Sequence, residues 1–412
     1  MKLRLIGMLL LLLLTAVIPA LAPQAYSQRS PAPLVITHAN LIDGLSPQPI
    51  PDATVIVRDG KIEKVATGPV ELPAGATVLD LKGRWLLPGL IDAHVHLREL
   101  SSARTALASG VTTARSLGVE RFTDVGIREL NHEGVADLPD VVAAGYGIAA
   151  RPSELLLLDF PTMNDLTQGV NGTESVRRMV RALAGRGVNV IKVLATGRAG
   201  LPESDPRQRT FTDEELAAIT DEARKFGLPV AAHAHGDEGA AGAVRAGVHS
   251  IEHGTYLSDR TLSLMKASGI YLVPTLSFTT GYAATGGTEK SPVVMARARA
   301  MAPRLREATA RAWKLGIRIV AGSDAQYDDE RRLQDELAEL VRNGMGPLDA
   351  IKAATSVAAE CLMIDGRTGS VKPGLEADLI AVDTDPLADI SALRDVLLVI
   401  NNGKVVVDRL GF

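Results

Sequence analysis

The run Leu87-Pro88-Gly89-Leu90-Ile91-Asp92-Ala93-His94-Val95-His96 constrains this chain more than any other, because an apolar segment after a Pro-Gly turn ends in two histidines spaced i, i+2. Side chains two apart on a strand share one face, so both imidazoles point the same way. Imidazole is the commonest protein ligand for zinc and similar ions. Two on one face at the C-terminal end of a strand make half a metal site. An isolated His-x-His pair is equally compatible with polar decoration of an exposed strand, so the rest of the chain has to decide.

Downstream, strand-like apolar runs alternate with helical stretches from about Trp85 to Gly369, the pattern of βα units around a parallel sheet. The expected strands are Leu86–His96, Thr112–Ser116, Val141–Ile148, Val190–Ala195, Val230–His235, Ser250–Glu252, Tyr271–Pro274 and Arg318–Gly322. Between them Asp213–Lys225 reads as a helix capped by Thr212 and stopped at Gly227, and Ala296–Leu315 as one stopped at Gly316. Eight such units predict an α/β fold, the (β/α)8 TIM barrel, whose active site lies at the C-terminal ends of the strands. Short strands around turns occupy both ends of the chain, including Leu34-Val35-Ile36, Thr54–Val57, Leu379–Val382 and Lys404–Val407. The predicted organisation is therefore a barrel over 85–369 and a small β-sandwich domain whose two parts are 34–84 and 370–412.

The first residues read as an address rather than as part of the fold. Lys2 and Arg4 precede an apolar run from Leu5 to Ile18, shorter than the roughly 20 residues of a spanning helix. Ala25-Tyr26-Ser27 then offers a small-x-small cleavage site, so residues 1–27 are expected to be a signal peptide and the protein periplasmic or secreted. The alternative is an uncleaved anchor. Cys361 is the sole cysteine, which excludes an intramolecular disulfide. A formal net charge of -4 and only 3% aromatic residues provide neither the basic face nor the stacking side chains that nucleic-acid binding needs.

Taken in order, the strand ends carry His94 and His96, Lys192, His233 and His235, His253 and finally Asp324. Five of the 8 histidines thus fall where a barrel would gather them at one mouth. Each has an ordinary alternative: His253 as a polar helix-side residue, Asp324 as a helix cap, Lys192 as a surface lysine. Lys192 fits that alternative worst, since it interrupts the apolar run Val190–Leu194 and an isolated buried ammonium is costly. As a set they read as clustered ligands.

These motifs together resemble the amidohydrolase superfamily, and within it the imidazolonepropionase-like, Xaa-Pro and Xaa-Arg dipeptidase branch. The similarity runs from Ala39-Asn40-Leu41-Ile42-Asp43-Gly44 through Pro88–His96, Gly110–Arg115, Ile251-Glu252-His253-Gly254 and Val273-Pro274-Thr275 to Lys372–Leu379. The resemblance implies two divalent metal ions, usually zinc, with His94, His96 and Asp324 on the buried one, His233 and His253 on the outer one, and Lys192 bridging them as N6-carboxylysine. A neutral amine in an apolar strand can add carbon dioxide, and the carbamate offers one oxygen to each cation. The implied mechanism is attack by a hydroxide shared between metals about 3.5–4 Å apart, with Asp324 as general base and then general acid. His235, on the same strand face as His233, is counted with the catalytic residues Asp324 and Lys192 and is expected to contact substrate or stand behind the metal ligands, with metal ligation as the alternative.

The resemblance implies a small-molecule amide or dipeptide substrate, no nucleic acid, and no membrane once the leader is removed; homo-oligomerisation is left open. Two loops depart from the branch pattern. Ala150-Arg151-Pro152-Ser153 stands where many members carry Thr-Gly-Gly-His-Gly, and Thr196-Gly197-Arg198 replaces Thr-Gly-Gly. Xaa-Pro and Xaa-Arg dipeptides, N-acyl amino acids and ochratoxin-like amides all remain candidates. Arg151 and Arg198 are candidate substrate-binding residues, because a guanidinium fork pairs with both oxygens of a carboxylate; a solvated loop arginine is the alternative. Competing functions are a deaminase, a cyclic amidase or lactonase on the same barrel, and a non-catalytic binding protein. Export makes one direct prediction: the intact mass of the secreted protein will correspond to a chain starting near Gln28, and recovery of a full-length membrane-held chain would refute it.

Overall fold

Branched and aliphatic residues in short runs form strands near both ends and through the middle of the computed structural model, which describes residues 32–285, 291–328 and 332–411. The expected leader, residues 1–27, lies outside the described residues. The strands are β1 (Leu34–Leu41), β2 (Ile50–Arg58), β3 (Lys61–Thr67), β4 (Thr77–Asp80), β5 (Trp85–Pro88), β6 (Leu90–Val95), β7 (Val111–Ser116) and β8 (Asp140–Ala143). They continue as β9 (Ile191–Leu194), β10 (Val230–Ala234), β11 (Ser250–His253), β12 (Tyr271–Val273), β13 (Leu379–Val382), β14 (Val396–Asn401) and β15 (Lys404–Asp408).

Both ends of the chain build one sheet, ordered β15-β14-β13-β5-β1-β2-β3, with β4 added to β1. Its core takes Ile36, Val55, Val57, Leu86, Leu379, Leu398 and Ile400, so residues from before and after the central region share one apolar face. β5 runs antiparallel to β13, pairing Pro88 with Leu379.

The central region holds two parallel sheets, β6-β7-β8 and β12-β11-β10-β9. Every residue of β6, β7, β8, β10, β11 and β12 is buried, as expected for parallel strands covered on both faces, and this is why they read as near-continuous apolar runs. Further pairings extend the two ladders: Ile148 lies parallel to Val193, Ile319 to Leu272, and Ala325 to Val95. One apolar cluster draws on both sheets at once, with Ile91, Ala93, Val142, Ala231, Val273 and Val320 meeting Ala358, Cys361 and Leu362 of the helix Ser356–Leu362. The helix Asp213–Lys225 has the predicted bounds, with Thr212 and Glu215 forming a reciprocal cap. The predicted Ala296–Leu315 helix begins earlier, at Pro292, where Ser291 caps it.

Three expected strands differ. Leu86–His96 is two strands, because the Gly89 amide bonds Asp378 of the terminal sheet while the next amide, Leu90, bonds Gly110 beside β7. A side chain at Gly89 would put its Cβ 2.2 Å from Thr112 Oγ1, so only glycine permits this crossover. The strand expected over Val141–Ile148 ends at Ala143: the Ala144 amide is shared between the Ser116 carbonyl of β7 and the buried Asp124 carboxylate, and the Gly145 amide turns to Asp124. Arg318–Gly322 forms no continuous ladder; its neighbourhood bonds Leu272 on one side and Ala93 and His94 on the other.

Glu336, in the helix Leu333–Arg342, is fully buried and accepts the Leu276 and Ser277 amides at 2.9 and 2.7 Å, heading the helix Leu276–Thr285. Burial pushes its carboxyl up to about 8 from an ordinary 4.5. Between those values the folded chain keeps a proton that the unfolded chain has lost, so this group's contribution falls as pH rises through the window. Urea midpoints measured at pH 5 and pH 8 should therefore diverge less in Glu336→Gln than in the wild type; equal divergence in both would show that Glu336 contributes nothing to it.

Candidate metal centre

The ends of the parallel strands bring the predicted side chains together. His94 is the penultimate residue of β6 and His96 follows its end; Lys192 lies in β9, His233 in β10, and His253 closes β11. Asp324 reaches the same place because its amide donates to the His94 carbonyl at 2.7 Å. Its neighbour Gly322 permits that approach, since a Cβ there would lie 2.8 Å from His94 Cβ. Three non-glycine residues at the ends of these stretches, His253, Thr275 and Asp324, have left-handed backbones with φ of 73°, 51° and 54°. Such conformations are uncommon and cluster at functional sites.

Two groups of ligand atoms result, His94, His96 and Asp324 in one and His233, His235 and His253 in the other, with the atoms of each group within 4.8 Å of one another. Asp324 Oδ1 lies 3.0 Å from His96 Nε2 and 3.6 Å from His94 Nε2. The groups adjoin, because the His94 and His253 rings are 5.1 Å apart between centroids. Lys192 Nζ sits 3.3 Å from His94 Nε2. Every expected ligand is thus in one place, and His235 joins them, 4.6 Å from the His253 ring and stacked on it.

Each ring is held by one nitrogen. His94 Nδ1 meets Glu252 Oε2 at 2.7 Å, His96 Nδ1 the Gly118 carbonyl at 3.2 Å, and His233 Nε2 the Gly197 carbonyl at 3.1 Å. His235 Nδ1 meets Thr255 Oγ1 at 2.8 Å and His253 Nδ1 meets Thr275 Oγ1 at 2.7 Å. The second nitrogen of each ring is left for the centre, the arrangement that fixes orientation and tautomer in metal-binding histidines. Burial, reinforced by the Lys192 charge, lowers His94 to about 4; burial lowers His235 to about 3 and holds His233 and His253 well below the usual range. These imidazoles are therefore neutral at neutral pH, with lone pairs to offer. Burial likewise lowers Lys192 to about 8, so an appreciable share of its amine is uncharged. Burial works to raise Asp324, but His94, His96 and Lys192 overrule it and keep the carboxylate ionised.

Arg198 and Arg151 fare differently. Arg198 is exposed on the loop after β9, yet its charge contributes to the lowered values of both Lys192 and His233. That loop is pinned by Arg297, which donates to the carbonyls of Ala199, Leu201 and Pro202. Arg151 is exposed before the helix Glu154–Asp159. Glu252, Arg115, Asp92, Thr255 and Thr275 carry no spacing signal along the chain comparable to that of the histidines. All five are buried polar side chains within or beside the resembling motifs, and an acid directly before a ligand histidine was the available signal for Glu252.

Nitrogen and carboxylate donors, neutral rings and an anion in a buried setting fit zinc and neighbouring divalent ions. Comparison with known proteins gives the family. The chain is 29% identical over 414 residues to ochratoxinase of Aspergillus niger, covering 90% of this chain and 86% of the relative. It is 33% identical over 377 residues to an uncharacterised protein of Mycobacterium tuberculosis, covering 86% of this chain and 93% of the relative. Among solved structures, a Xaa-Pro dipeptidase with methionine bound in its active site superposes with a TM-score of 0.83 at 30% identity, over 91% of this chain and 99% of the other. With the amidohydrolase family pattern matching residues 85–406 as well, the chain belongs to the amidohydrolase family and is a hydrolase of amide bonds.

Proposed function

We propose that this protein is an exported dipeptidase or N-acyl amino acid amidohydrolase that works with two metal ions at the mouth of a (β/α)8 barrel. The observation that carries the reading is the convergence of two three-ligand groups beside one buried lysine. Barrel closure is supported by the pairings of Ile148 with Val193 and of the 319–325 stretch with both β12 and β6, and by the cluster of inward residues drawn from both parallel sheets. The barrel is taken as residues 85–369, with the terminal segments 34–84 and 370–412 packed as a second domain; the shared sheet of the two ends supports the second domain, and β5 (Trp85–Pro88) belongs to that sheet rather than to the barrel.

His94, His96 and Asp324 would hold one divalent ion, taken as zinc, and His233 and His253 the other, with Lys192 between them as a carbamate. When bound, these ions supply Lewis-acid polarisation of the scissile carbonyl and acidify a water. Burial of Lys192 favours the free amine that adds carbon dioxide, its nitrogen forming the new N–C bond and releasing a proton to solvent. Asp324, kept anionic by its cationic and imidazole neighbours, accepts the proton of the attacking water and passes it to the leaving nitrogen. His235 stands either as a third histidine ligand beside His233 and His253 or as a hydrogen-bond partner of substrate. Arg198, on its pinned loop, is the better placed of the two arginines to receive a substrate carboxylate.

Two measurements test the reading. Elemental analysis of purified protein should find close to two divalent ions per chain, and Lys192→Ala should lose metal and activity together, with partial recovery on adding small carboxylic acids; a fully active Lys192→Ala protein would end the carbamate model. On a panel of dipeptides and N-acyl amino acids, converting the α-carboxylate to an amide should cost about 2–4 kcal/mol in kcat/KM, and this penalty should shrink in Arg198→Ala. Equal turnover of free and blocked substrates would remove carboxylate recognition and leave the metal centre standing.

A further inference from the structure

Arg115, near the end of β7, is 1% exposed, an extreme position for a side chain that is always charged. Its Nε donates to the Ala93 carbonyl at 2.7 Å, Nη1 to Ser250 Oγ at 3.3 Å and Nη2 to Glu252 Oε1 at 3.0 Å. Glu252 is wholly buried; the Ser250 hydroxyl also donates to its Oε1, and its Oε2 faces His94 Nδ1. All three guanidinium nitrogens and both carboxylate oxygens are therefore engaged.

We propose that Arg115 and Glu252 form a brace across the interior whose task is to orient His94 for metal binding. The partners lie on β6, β7 and β11, and β6 and β11 belong to different parallel sheets, so one ion pair ties the strand of His94 to the strand of His253. Stability alone is a weak reason for such a pair, because a buried ion pair is often matched or exceeded by apolar side chains of similar volume. What apolar side chains cannot supply is direction. A carboxylate only accepts, so His94 must carry its proton on Nδ1, and the Nε2 lone pair is turned toward Lys192 and Asp324. Arg115 balances the carboxylate charge and, through Ala93, anchors the backbone of the residue directly before His94. Arg115 and Glu252 are positioning residues, acting through His94.

The brace rests on the metal reading above, and the test separates the two. Full-length protein is stripped with a chelator and titrated with Co2+, following the visible ligand-field bands, while thermal unfolding of the metal-free protein is recorded. The paired variant Arg115→Met/Glu252→Leu removes both charges and leaves no orphaned ion. It should unfold near the wild-type temperature, bind Co2+ about 10–100-fold more weakly and show a displaced band. If that variant fails to fold, Glu252→Gln, close in size, is read in the same titration against Glu336→Gln, a buried carboxylate outside the centre. Weakened Co2+ binding in Glu252→Gln alone supports the brace. Wild-type Co2+ affinity and spectrum in a folded paired variant, or equal losses in Glu252→Gln and Glu336→Gln, would overturn it. Absence of Co2+ bands in the wild type would instead bring down the metal reading itself, and the brace with it.

Discussion

The Asp92 carboxylate is the point on which the geometry of the site depends. It accepts the Ser323 amide at 3.0 Å and hydroxyl at 2.6 Å, the Tyr327 hydroxyl at 2.9 Å and the His94 amide at 3.2 Å. Residues separated by more than 200 positions are thereby held against one another, and Asp324 is delivered between His94 and His96. Burial pushes this carboxyl up to about 6, and four donors around it are what offset the cost of taking it out of water. The close approach at Gly322 belongs to the same junction, since any side chain there would meet His94.

Around that junction the protein assembles a polar cluster inside an apolar frame by pairing each group. Neutral imidazoles are made by burial, the anion Asp324 by its neighbours, and the Arg115 charge is matched by Glu252. The result is a set of rings each with one nitrogen turned inward, the other being held by a threonine hydroxyl, a carbonyl or a carboxylate. Such a set is held in place by the protein's own hydrogen bonds, which limits the rearrangement that binding a ligand requires.

Much of this was legible in the sequence because the signals were local. Histidines two apart on a strand, a lysine inside an apolar run and a capped helix after Thr212 depend on spacing alone, and each lies where spacing placed it. The parts that escaped depend on contacts between distant residues. Nothing near Gly89 announces that its amide bonds one sheet and the next amide another. The stretch after Arg318 divides its hydrogen bonds between two neighbours, a division invisible along the chain. Arg115 and Glu252 each look like an ordinary strand residue until β7 and β11 face a common interior. Arg198 and Arg151 are equivalent by position along the chain, and what distinguishes them is the loop tethered by Arg297 and the reach of the Arg198 charge to Lys192 and His233.

The pairing of β5 with β13 also governs the order in which the chain can be completed. β1 and β5 emerge early from the ribosome, but β13, β14 and β15, which cover that side of the sheet, come last. Until then a nascent or truncated chain presents the open edge of β5, and an open strand edge is the usual template for association between chains. A premature stop anywhere before Leu379 therefore yields an incomplete sheet as well as a shortened protein, and such fragments are natural clients for chaperones and proteases.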